Sequence, residues 1–152
     1  MEIKTFRELI DWTRDLHQHL SDCLAHCSGE HKQERAQALL QYLADHESEL
    51  ANIVAEFEHQ GNHKAMETRV YDYLNHHPLE THRTCSLPYA EMSFEQISHE
   101  VFDFHDQIMD LYKTLVSKAD IPEAQDLLQA LLTMEEHEAM RLARQIGRMD
   151  DV

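Results

Sequence analysis

Apolar residues recur along this chain at spacings of three and four in four long stretches, the repeat that gives a helix one face to bury in a bundle. The first seam runs Ile3, Phe6, Ile10, Thr13, His17, Leu20, Leu24 and Cys27. It predicts a helix over residues 4–27, capped by Thr5 with Glu8 three residues on and ended by Ser28-Gly29. A second helix is predicted over 32–59, with Ala36, Leu40, Leu43, Glu47, Leu50, Val54 and Phe57 inward, Leu39, His46 and Ile53 beside them, and Gly61 as its stop. The third starts after Ser93, an N-cap with Gln96 three residues later, and runs to about 118 on Val101, His105, Ile108, Tyr112 and Leu115. Asp120-Ile121-Pro122-Glu123 supplies a cap and an early proline for the fourth, over 122–149, with Leu128, Leu131, Glu135, Glu138 and Leu142 inward.

Between residues 60 and 92 the pattern breaks. A short helix fits 65–74, and His76-His77-Pro78 through Pro88 reads as loop. The interval is too long for a tight turn, so it is expected to cross from one end of the bundle to the other. The third helix also repeats the first: Phe6 falls on Phe94, His17 on His105 and Leu20 on Ile108, at an offset of 88 without a gap. Laying His46-Glu47 over His137-Glu138 gives 91 for the other pair. The prediction is all-α: a single domain over 1–152, an antiparallel four-helix bundle made of two repeated hairpins, with the crossover between helices 2 and 3.

Composition narrows the function. Three glycines and three prolines are too few for the turns of a sheet protein. Thirteen Lys and Arg against 29 Asp and Glu leave a formal charge of -16, which repels nucleic acid and anionic lipid. No apolar run approaches the roughly 18 residues a membrane helix needs, and the start lacks a secretory pattern, so the chain reads as cytoplasmic. Leftover apolar helix surface suits a homodimer. Cys23 and Cys27 read as small core residues, with Cys85 alone in the loop. Trp12, Tyr71, Tyr73 and Tyr89 read as packing the crossover onto the bundle, and His76, His77, His82 and Glu80 as an exposed loop cluster. No nucleophile and base, phosphate loop or dinucleotide fingerprint is present, so the sequence names no substrate and leaves enzyme status open.

The candidate chemistry is at mid-helix. His17, Glu47, His105 and Glu138 each fall within about one turn, roughly 5.4 Å of rise, of the middle of a predicted helix. They are expected to meet in one layer between apolar ones, with His46 and His137 bordering the glutamates. Glu135 is left out because Met134 and Met140 compete for the inward face. Burying two carboxylates and two imidazoles uncompensated costs several kcal/mol per charge. A divalent metal ion (iron, manganese or zinc) held by His17, His46, Glu47, His105, His137 and Glu138 offsets that cost. The alternative is a metal-free His/Glu network inside a non-catalytic interaction protein.

Four helices, a repeated hairpin, a long crossover and mid-bundle His and Glu residues resemble the ferritin-like superfamily, which includes rubrerythrins and bacterioferritins. Such proteins take a Glu from the first and third helices and a Glu-x-x-His pair from the second and fourth to bind two metals. The resemblance puts His17 and His105 where the lone glutamates belong, and Glu47 and Glu138 at the glutamates of the pairs. It implies oxygen or peroxide chemistry at iron. This chain departs from the pattern, because Leu50 and Arg141 stand three residues after Glu47 and Glu138. The departures imply a single-metal site, or one that has lost its metal.

Overall fold

The computed structural model describes residues 3–69, 87–119 and 121–151. Among them are four long helices, α1 (Phe6–Glu30), α2 (Glu34–Gln60), α4 (Phe94–Lys118) and α5 (Pro122–Asp150), with α3 (His63–Met66) a single turn. A 3-10 turn, Tyr89–Glu91, precedes α4. No strand occurs among the described residues, although Thr5 and Arg69 form an isolated antiparallel bridge. The expected helical bundle is present.

Local chemistry sets most of the helix starts. The Thr5 hydroxyl accepts from the Glu8 amide at 3.3 Å, and the Glu8 carboxylate returns to the Lys4 amide at 2.7 Å. Ser93 and Gln96 form the full reciprocal box, at 3.1 and 2.9 Å. These contacts satisfy amides that have no partner within the helix. Pro122 opens α5, where a missing N–H costs nothing. The expected cap Asp120 lies outside the described residues, and the residue preceding α5 is Ile121. α1 does not stop at Ser28-Gly29: it continues to Glu30, and the His31 amide donates to Cys27 O at 3.0 Å. No glycine has positive φ, so Gly29 lacks the left-handed turn that would have stopped the helix.

α1 packs along α2 and α4 along α5. The flanks of the crossover are anchored at opposite ends of α1. On one side the Phe6 amide donates to Thr68 O at 3.1 Å; on the other, His31 Nε2 meets Met92 O at 2.9 Å. α3 also packs on α5, with Lys64 3.7 Å from Glu123. Of the short helix expected over 65–74, the described residues show a single turn at His63–Met66 that overlaps its start, and residues 70–86 lie outside the described part. Tyr71, Tyr73, His76, His77, Glu80, His82 and Cys85 fall there. Tyr89 is buried and Trp12 is partly buried against the core.

One core cluster runs through the bundle: Leu9, Ile10, Leu20 and Leu24 of α1 and Leu39, Leu40 and Leu43 of α2 join Ile97, Val101 and Ile108 of α4 and Leu128, Leu131 and Leu142 of α5. Cys23 and Cys27 are half-buried, and Cys27 packs against the core from its edge. Cys23 is disulfide-bonded and Cys27 is a free thiol.

Two glycines test this packing from opposite directions. A Cβ on Gly61 would collide with the buried Met66 side chain and lie 2.7 Å from the Phe57 carbonyl oxygen, so Gly61→Ala is expected to lower stability by about 1–3 kcal/mol. Gly147 lies within α5 with no atom within 4 Å of an added Cβ. Gly147→Ala should raise stability by up to about 1 kcal/mol in urea unfolding.

Candidate functional site

Each long helix brings one ionisable side chain to the same level. His17, Glu47, His105 and Glu135 all lie within one residue of the midpoint of their helix. All four are 0–1% exposed. Helical spacing puts them there, because each continues its helix's inward row in place of the leucine or isoleucine found one turn away.

Together they form a ring. His17 Nδ1 is 2.6 Å from Glu47 Oε2, and His17 Nε2 is 2.8 Å from Glu135 Oε1. His105 Nε2 is 2.5 Å from the other Glu47 oxygen. The fourth edge is open: His105 Nδ1 and Glu135 Oε2 stand 3.7 Å apart, and neither has another hydrogen-bond partner. The two imidazoles have their centroids 5.6 Å apart, and Phe104 packs edge-to-face against both, at 5.9 and 5.7 Å.

The ring governs its own protonation. Burial alone would strip the proton from His17, but Glu135 and Glu47 outweigh it and raise the imidazole to about 9. His105 is treated the same way, burial opposing and Glu47 and Glu135 prevailing, and rises to about 10. Burial pushes Glu135 toward its neutral form, yet the two histidines hold it down at about 2. Glu47, against the same penalty, is held well below the carboxylate range by His105 and His17.

The predicted residues divide. His17, Glu47 and His105 meet as expected. Glu138 does not join them: it lies one turn beyond Glu135, rotated about 60° around α5, and Arg141 Nη1 binds both its oxygens at 3.1 and 3.2 Å. Glu135, previously set aside, takes its place. Met134 is only partly buried and Met140 is 53% exposed, so neither holds the inward position. His137 is exposed and belongs to no part of the layer. His46 is buried next to the ring, stacked on Tyr42 and 6.3 Å from the His105 ring. Its Nε2 has no partner, and burial, aided by His105, lowers its proton affinity. The signal that could have found Glu135 is the first-half offset: Glu135 follows Glu47 by 88 residues, as His105 follows His17.

The donor types are those a divalent cation takes, but their arrangement is not. A ligating imidazole must keep one nitrogen lone pair for the metal. Both His17 nitrogens face carboxylates, and both Glu47 oxygens are engaged. Among the described residues, no three His, Cys, Asp or Glu side chains converge as a cation site. Three residues after Glu47 and Glu135 stand Leu50 and Glu138, neither of them an imidazole. As they stand, His17 and Glu47 do not fit a metal, while His105 Nδ1, Glu135 Oε2 and the neighbouring His46 Nε2 are buried without a hydrogen-bond partner.

No protein-family model matches the chain, and no curated protein matches it in sequence. Among solved structures it is similar to a protein from Thermotoga maritima described as a candidate ferritin-like diiron-carboxylate protein. The TM-score is 0.60 at 14% identity, over 97% of this chain and 98% of that one. That likeness shows a ferritin-like fold. No described helix is long and apolar enough to cross a membrane.

The ring predicts a stability profile. The histidines, raised from 6.5, contribute fully below about pH 6.5 and lose their contribution as pH climbs through about 9 and about 10. The carboxylates, lowered from 4.5, contribute above about pH 4.5 and lose it as pH falls toward about 2. The ring's contribution should therefore be greatest between those limits. Glu47→Gln keeps the shape and removes the charge both imidazoles share; thermal unfolding should show a loss of about 3–5 kcal/mol near pH 6. Its alkaline decline should also be shallower than in the parent.

Proposed function

We propose that this ferritin-like bundle is a non-catalytic helical module whose mid-bundle ring binds helices to each other in place of metal, and that it acts through contacts made at its surface. One observation carries the reading: both nitrogens of His17 and both oxygens of Glu47 are used inside the ring. Two further facts support it. The four groups are closed to solvent, and their proton affinities lie far from neutral pH. The chain is acidic, with a formal charge of -16, which favours partners with basic surfaces over nucleic acid or anionic lipid.

A second reading is favoured by the neighbour from Thermotoga maritima, whose description names a diiron-carboxylate protein. In it a divalent cation, iron for example, occupies mid-bundle among His17, Glu47, His105 and Glu135, and the protein handles oxygen or peroxide. That reading requires the ring to open, because its nitrogens now face carboxylates.

Elemental analysis of the untagged protein separates the two. Substoichiometric iron, manganese and zinc, with a melting temperature indifferent to chelator and to each added metal, is the expected result. A cation at one hundred times its Kd would add about 2.7 kcal/mol of stability. Stoichiometric metal whose removal lowers the melting temperature would overturn the first reading in favour of the second.

A further inference from the structure

We infer that the ring holds four protons on its imidazole nitrogens, two more than a pair of neutral histidines carries, and that these two supply the positive charge a divalent cation would otherwise bring to this layer. The inference rests on the metal-independent reading above and adds what takes the metal's place.

The argument is a count. A carboxylate oxygen and an imidazole nitrogen in hydrogen-bonding contact need a proton between them; two lone pairs facing each other would repel. Three edges of the ring close at 2.5–2.8 Å, so at least three protons are present. Two neutral imidazoles bring only one N–H each. With those two protons the ring has a net charge of about -2; with three, about -1; with four it is neutral.

The surroundings choose among these states. Leu20, Leu43, Leu50, Val101, Ile108 and Leu131, each one turn from a ring residue along its own helix, are all buried, and the buried Thr13 hydroxyl is committed to Leu9 O. Net charge in such a layer costs several kcal/mol. No neighbour can neutralise it. On α2, His46 is driven toward its neutral form by burial. On α4, burial and the Glu135 charge keep the Tyr112 phenol protonated. On α5, Arg141 is spent on Glu138. Tyr89, beside α1, is buried and likewise held in its neutral phenol form. The neutral ring is the state that fits, and it places the fourth proton on His105 Nδ1, toward Glu135 Oε2 across the open 3.7 Å edge. A divalent cation bound between two neutral imidazoles and two carboxylates would give the same zero sum. Cation and proton pair are therefore alternatives, and admitting one cation releases two protons.

The full chain, labelled with nitrogen-15 at histidine, provides the test. Two-dimensional nitrogen–proton correlation spectra at pH 8 distinguish an imidazolium, protonated on both nitrogens, from either neutral tautomer. Two of the thirteen histidines are expected to be imidazolium at that pH, with N–H protons slow to exchange with water. Thirteen neutral rings, or a single imidazolium, in protein shown to be metal-free would overturn the proton count while leaving the metal-independent reading intact. Stoichiometric metal in the same sample would instead overturn that reading and this inference with it.

Discussion

Glu47 holds the two halves of the bundle together. One of its oxygens takes His17, from the helix paired with its own, and the other takes His105, from the opposite hairpin. A carboxylate in a layer of leucine and isoleucine has few acceptable states, and sharing it between two cations is one of them. The rest of the site follows from that sharing. His17 must turn its second nitrogen somewhere polar, which requires Glu135; Glu135 must then face His105. Four helices acquire a single register because only one brings all four groups to the same height.

Energetically such a ring is not an efficient way to stabilise a core. Well-packed apolar residues in the same space are often as good or better, whereas removing a single member leaves a charge stranded in a dry layer. The arrangement is therefore intolerant of piecemeal change. Its contribution is specificity of pairing: helices that slide by a turn separate the charges at once, while a uniform leucine core would still pack. Glu138 and Arg141, one turn farther along α5, show the contrast. Glu138 is buried, but its partner comes from its own helix at the protein surface, so the pair constrains no other element.

Much of the bundle was legible in the sequence. The apolar rows located the long helices, and the Ser93 box and Pro122 placed two starts, because those features act locally. His17, Glu47 and His105 were legible for the same reason: each interrupts an otherwise apolar row. The fourth member was misread because α5 carries Glu135, Glu136 and Glu138 within one turn, and periodicity alone does not rank them. The pairing of His137-Glu138 with His46-Glu47 was a local likeness, while the true register is carried by separation along the chain. The boundaries agree: α1 and α4 begin 88 residues apart and also end 88 apart, and α2 and α5 begin 88 apart. Whether imidazole nitrogens face a cation or a carboxylate is not written in residue order. It depends on side-chain rotation, which spacing does not encode.

The placement of the ring at the waist of the bundle, nearly equidistant from both tips, has a mechanical outcome. Fraying of a terminal turn at either end leaves the charges undisturbed, because the fastening lies in the centre like the rivet of a pair of scissors. Breathing at one tip need not be transmitted to the other. The two extremities are thereby left free to diverge in outline, each able to accept different neighbours, while the middle keeps a fixed alignment.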